Sequence, residues 1–151
     1  MNLIEVLNTG VYMSWFESKD AKIRKSHIRD LIVLAAADGH IDKEEMEFVS
    51  IVAVNWGSTP KELAEILKNP QKVKFTVPET KEKRLMALMD LVFLMMIDGE
   101  IHQNELDFCQ SIAPTLGFPP REIPQMVRHI AGAIKAKRKR EDILNDEVFW
   151  D

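Results

Sequence analysis

The chain lacks the features that mark several functional classes. It has one cysteine, Cys109, so no intramolecular disulfide can form, and the apolar-periodic stretch around it makes a buried structural thiol the plain reading. The longest apolar run, Leu91 to Ile97, is closed off by Asp90 and Asp98 and falls far short of the ~20 residues that span a bilayer. The opening Met-Asn-Leu-Ile-Glu-Val has neither the basic region nor the apolar stretch of a secretory signal. These absences predict a cytoplasmic, reducing location with no transmembrane segment, and leave peripheral membrane association open. No Gly-rich phosphate loop, His-Glu-x-x-His pattern or nucleophile motif occurs, so the chain is read as a non-enzyme. Positive charge is not in excess either. Lys and Arg number 20 against 24 Asp and Glu, and the net charge of −4 gives no general attraction to nucleic acid or anionic membranes. It does leave room for a cation at a local acidic cluster.

What the chain does have is a repeat. Asp38-Gly39-His40-Ile41-Asp42-Lys43-Glu44-Glu45-Met46-Glu47-Phe48 returns 60 positions later as Asp98-Gly99-Glu100-Ile101-His102-Gln103-Asn104-Glu105-Leu106-Asp107-Phe108. The match runs outward without a gap: Asp30, Leu31 and Leu34 meet Asp90, Leu91 and Leu94, while Gly57, Pro60 and Glu62 meet Gly117, Pro120 and Glu122. Constant spacing over helix-length segments means two equivalent units that bury their apolar faces against one another. With 151 residues, 46% apolar and 29% charged, the composition is that of one folded domain rather than a disordered chain. The expected organisation is a single domain over 1–151, with units at about 21–69 and 79–133 and a basic then acidic extension at 134–151.

Helical periodicity predicts an all-α fold of about seven helices, in two pseudo-two-fold-related repeats packed as one bundle. Leu3, Leu7, Val11 and Trp15 form a stripe on a first helix. A second runs from about Ala21 to Asp38 with Ile28, Leu31, Ile32, Ala35 and Ala36 inward and Gly39 as its stop, and its counterpart runs from about Glu79 to Asp98. Asp42 with Glu45 reads as a capping box, and Thr59-Pro60 with Glu62 as a cap, a first-turn proline and an acid. The second unit repeats this as a helix from His102 to Leu116, Gly117 and a helix opening near Pro119-Pro120. Val73, Phe75 and Val77 alternate, which suits an extended connector laid on the core.

Asp-Gly-x-Ile-x-x-x-Glu matches the second half of an EF-hand calcium loop, but Leu34, Ala36, Leu94 and Met96 stand where the first half needs oxygen ligands. A complete EF-hand is excluded. A helix corner with a glycine stop, an isoleucine anchor and a capped restart accounts for Gly39, Ile41, Asp42 and Glu45 without any ligand. It does not account for Asp38 and Asp98, carboxylates at helix C-termini, where the dipole disfavours them by roughly 0.3–1 kcal/mol. A Lys or Arg from elsewhere, or a bound cation, would compensate. Packed about a two-fold axis, Asp38, Asp42, Glu45, Asp98 and Glu105 would converge and repel one another unless a counter-charge were present. Oxygen ligands suit Ca²⁺, Mg²⁺ or Mn²⁺, and His102, standing where the first unit has Asp42, admits Mn²⁺ or Zn²⁺.

This doubled pattern resembles the tellurite resistance TerB family, including the TerB-like domain of some membrane-anchored co-chaperones. The resemblance runs from about His27 to Ala133 and is carried by Leu34-Ala35-Ala36-Ala37-Asp38-Gly39-His40-Ile41 with Glu45, and by Asp98-Gly99-Glu100-Ile101 with Glu105. It implies a helical domain with internal two-fold symmetry, an acidic corner cluster that binds divalent metal, and a non-catalytic role in stress or metal-resistance complexes near the membrane. Asp38, Asp42, Glu45, Asp98 and Glu105 fall on the motif acids, while His102 departs from them. No His-Pro-Asp signature of a J-domain occurs, so the co-chaperone form is not supported.

The expected function is therefore a metal-binding module at Asp38, Asp42, Glu45, Asp98, His102 and Glu105 that presents a surface to a protein partner. The alternative is a metal-free interaction scaffold in which the acids are caps and salt-bridge partners. A hydrolase with His102 as base has suitable residue types but no supporting motif. Lys135, Lys137, Arg138, Lys139 and Arg140 read as a solvated helix end followed by acids. Val148-Phe149-Trp150 reads as a tail that folds back or anchors a partner, and Met86, Met89, Met95 and Met96 as core filling.

Overall fold

The helices begin where short hydroxyl side chains replace the missing intrahelical acceptors. In the computed structural model, which describes residues 17–37, 39–99 and 101–150, Ser18 Oγ accepts the Ala21 N–H at 3.1 Å and starts α1 (Lys19–Ala35). Asp42 precedes α2 (Lys43–Asn55). Thr59 Oγ1 accepts the Glu62 N–H at 3.1 Å, and Pro60 occupies the first turn of α3 (Pro60–Lys68), as its sequence predicts. Thr80 caps α4 (Lys81–Met95). The rest follows as α5 (Gln103–Ile112), α6 (Ile123–Lys135) and the short α7 (Arg140–Leu144). Among the described residues there are seven α-helices and no strand, so the protein is all-α. The Leu3–Trp15 stripe lies outside the described residues.

Two expected boundaries shift. The helices written to Asp38 and Asp98 stop at Ala35 and Met95, and Ala36, expected inward, is exposed. The helix expected from His102 to Leu116 gives way at Pro114 to a 3₁₀ turn over Ala113–Leu116, because proline has no N–H to continue the α ladder. A second 3₁₀ turn, Pro120–Glu122, precedes α6.

Helix α1 packs on α2, α3 and α4, while α4 also receives α2, α6 and α7. Nine of the fifteen residues of α4 are buried, which makes it the central element of the core. A single buried cluster joins Ile28, Leu31, Leu85, Leu88, Leu91, Val127 and Ile143, drawing on both units and on the extension. Burying side chains of this size contributes roughly 1.5–3 kcal/mol each. Val73 packs against this cluster, while Phe75 stays 47% exposed. No helix among the described residues is long and apolar enough to cross a membrane.

Lys135, Lys137, Arg138 and Lys139 are exposed, as a solvated helix end requires, but the extension then returns to the core. Lys137 turns the chain with φ 57°, Arg138 pairs with Asp146 at 2.6 Å, and Arg140 reaches Asp90. The Arg138 and His129 hydrogen bonds hold the Asp146 carboxyl well below its usual range. Phe149 is buried, and Val148 and Trp150 remain outside.

Candidate functional site

Each long apolar helix runs into a corner. After α1 the chain turns through Gly39 at φ 93° and restarts at Asp42; after α4 it turns through Gly99 at φ 89° and restarts at His102. Both angles lie in the left-handed region, where a side chain is strained and glycine is not. Ile41 and Ile101 fold back onto the core and fix the direction in which α2 and α5 leave. Both restarts present helix N-termini, whose partial positive charge favours carboxylates.

The acids at these restarts behave differently. Asp42 holds the N-cap position of α2, yet its side chain makes no capping bond, contrary to the expected capping box. It turns instead to His40 Nε2 at 3.0 Å and to the Glu45 carboxyl. At the other corner, Glu105 Oε1 accepts the His102 N–H at 2.9 Å, while His102 Nε2 lies 3.0 Å from Asp98 Oδ2. An imidazole thus stands beside the Asp98 carboxylate, where the sequence called for a Lys, an Arg or a cation. Asp38 lies outside the described residues.

Glu45 reveals how the corners relate. Its carboxyl is pushed up to about 7 by burial, then by the hydrogen bond with Asp42, then by the negative charges of Asp42, Glu105 and Asp98. Acids from both units therefore act on one carboxyl. Among the described residues, no three His, Cys, Asp or Glu side chains stand together as a ready coordination shell. The carboxylates of the two corners act on one another, and the side chains of Asp42, Asp98 and His102 are 62%, 57% and 46% exposed. In donor chemistry this oxygen-rich set would suit a hard divalent cation, which would offset the mutual repulsion of the carboxylates.

The proton on Glu45 sets a direction for stability. The folded value of about 7 lies above the ordinary 4.5, so the native state binds more protons between those values. This contribution is fully present below pH 4.5 and is lost as pH rises through about 7. A Glu45→Gln protein should therefore gain stability relative to the parent across that window when both are unfolded thermally. Parallel pH profiles for the two proteins would contradict the convergence of the corners.

Sequence reasoning gave no role to a second polar group, buried in the core. Asp90, fully inaccessible in the middle of α4, receives His27 Nε2 at 2.7 Å and Trp56 Nε1 at 3.2 Å on Oδ2, while Arg140 Nη2 stands 2.5 Å from Oδ1. The His27 and Trp56 rings lie 4.4 Å apart. Its counterpart Asp30 is also buried, but its nearest cation is Arg29 at 3.5 Å, and burial pushes its carboxyl up to about 6 against the pull of His27 and Arg29. The signal was an aspartate at the same place in both repeats, inside an otherwise apolar stripe. Cys109 is the inert thiol expected: burial, with Glu105 and Asp30 nearby, pushes it up to about 12.

No family model matches this chain, and neither a curated protein nor a solved structure matches it.

Proposed function

We propose that this chain is a non-enzymatic, TerB-like cytoplasmic module that binds a divalent cation between its two Asp-Gly-x-Ile corners and uses it to steady a protein-binding surface in a stress or metal-resistance complex. What supports this reading is the proximity of the two corners: after burial and Asp42, the charges of Glu105 and Asp98 from the other unit also push the Glu45 carboxyl up. A cation there would relieve the repulsion among the carboxylates. Asp42, Glu45, Asp98 and Glu105 supply oxygen donors, with Asp38 as a further acid of the motif and His102 as a nitrogen donor. Ca²⁺ suits the oxygen-rich set and tolerates irregular geometry, while Mg²⁺, Mn²⁺ and Zn²⁺ are the competing ions.

The second reading, a metal-free scaffold, is favoured by the contacts His40 to Asp42, His102 to Asp98 and the Glu105 cap, which answer part of the charge internally. Thermal unfolding of chelator-treated protein against each of the four ions separates the two. A cation at a hundredfold excess over its Kd stabilises the folded state by about 2.7 kcal/mol, which is a rise of roughly 5–10 °C for a chain of this size. A Glu45→Gln/Glu105→Gln double variant should lose that rise. The absence of a shift with any ion would decide for the scaffold.

A further inference from the structure

Far from the acidic corners, the N-terminal half of α1 faces α3 and the connector that follows it across a groove of about 1000 Å³. Six lysines line it (Lys19, Lys22, Lys25, Lys68, Lys72 and Lys74), against three glutamates, Glu17, Glu62 and Glu65. This local excess of positive charge occurs on a chain whose net charge is −4. Two of the glutamates are already engaged. Glu17 pairs with Lys25 at 2.7 Å, and Glu62 is held by Arg24 at 2.6 Å and by Ser58. Burial pushes the Glu62 carboxyl up, but those two bonds outweigh it and hold it below its ordinary value. Lys19 pairs with Glu79, whereas Lys22, Lys68, Lys72 and Lys74 have no carboxylate partner among the described residues.

The floor of the groove is apolar. Ile66 is buried there, Val73 is half-buried, and the Phe75 ring is 47% exposed although the Arg29 guanidinium lies 4.0 Å from its centre. The backbone beside it is extended at Val73, with φ −83° and ψ 127°. Thr76 N–H is fixed to Ser26 Oγ at 2.9 Å, while the Lys74 and Phe75 N–H groups donate no hydrogen bond among the described residues. Past the 3₁₀ turn Pro70–Lys72 the chain thus offers one outward edge, with the Phe75 N–H unused, and alternates lysine with apolar side chains, which suits pairing with a second extended chain.

We propose that this groove binds an acidic peptide segment of a partner protein, laid in extended form along residues 73–76 so that its carboxylates meet Lys74 and the neighbouring Lys72 and its apolar residues meet Val73 and Phe75. Charge complementarity selects the partner's sign, and the apolar floor selects a peptide over a polyanion. Nucleic acid fits less well. Glu62 and Glu65 line the same groove, the cations are lysine point charges without the arginine fork that grips phosphate, and a concave apolar floor offers a continuous phosphate backbone little. The groove lies toward the start of α1 and the acidic corner follows its end, about 25 Å away along a helix of this length, so the two sites operate separately.

The test uses a fluorescein-labelled synthetic peptide alternating glutamate and leucine, titrated into the full chain and followed by anisotropy at low and physiological salt. A lysine–leucine peptide, a single-stranded oligonucleotide and a second copy of the chain serve as competitors. Saturable, salt-weakened binding to the acidic peptide that drops at least tenfold in Lys72→Glu/Lys74→Glu is the expected result, with Phe75→Ser lowering affinity at unchanged salt dependence. All three positions are exposed, so the variants should unfold at the temperature of the parent. Binding that ignores the charge reversal, or a groove that takes the oligonucleotide or a second copy in preference, would overturn the proposal.

Discussion

Replacing Asp90 with alanine is expected to remove about 3–5 kcal/mol of stability. The cost is not the value of one hydrogen bond. Asp90 is fully inaccessible, and its carboxylate receives His27, Trp56 and Arg140 from three other parts of the fold. Truncation leaves the His27 side chain, 2% exposed, without its acceptor in a medium that cannot solvate it, and takes the ion-pair partner from the Arg140 guanidinium, which is 30% exposed and keeps the Met86 carbonyl. Against a typical total of 5–15 kcal/mol, such a loss approaches the threshold of unfolding. Thermal unfolding should show a fall of roughly 10–15 °C. Arg140→Met, which keeps the aliphatic stem but drops the charge, should reproduce part of it, and the Asp90→Ala/Arg140→Met pair should fall short of the sum. A fall of less than ~2 °C for Asp90→Ala would show that the network contributes little.

Asp30 occupies the same place in the first unit, and the expected sign is opposite. Its carboxyl is pushed up to about 6 from an ordinary 3.8, with burial as the first cause, so ionising it in the fold costs up to roughly 3 kcal/mol. The folded state binds more protons than the unfolded chain between those two values. This contribution is therefore fully present below about pH 3.8 and lost as pH rises through about 6. Asp30→Asn removes the charge at similar volume. After ~1 kcal/mol for an amide with no dedicated partner, a gain of about 1–2 kcal/mol is expected above pH 6, vanishing toward pH 4. Chemical denaturation of both proteins along that range measures it, and a variant less stable than the parent at every pH would show that Asp30 is held by its neighbours after all.

These two aspartates mark where sequence reasoning stops. Both sit at matched positions of a repeat, and their own positions do not separate them. What does so is the extension, which delivers Arg140 to α4, and the loss of symmetry at His27 and Trp56, whose counterparts are Ala87 and Leu116. The basic run Lys135 to Arg140 was equally ambiguous. Read alone it is a solvated helix end, and most of it is exposed, but the left-handed turn at Lys137 splits it, sending Arg138 to Asp146 and the half-buried Arg140 to Asp90. The six groove lysines are scattered from position 19 to position 74, a spacing no linear motif could have flagged.

The sequence by itself determined the all-α class and the places where the chain turns. Apolar periodicity, the hydroxyl cap at Thr59 and the glycines at 39 and 99 are local constraints, satisfied by residues within a few positions of one another. The tertiary structure alone decided which charges meet. His27 and Asp90 lie 63 positions apart and Trp56 and Asp90 lie 34 apart, and the Glu45 carboxyl answers to Asp98 and Glu105 from the other unit. Electrostatic energy depends on distance through space and on burial, and neither quantity exists until the two units have packed.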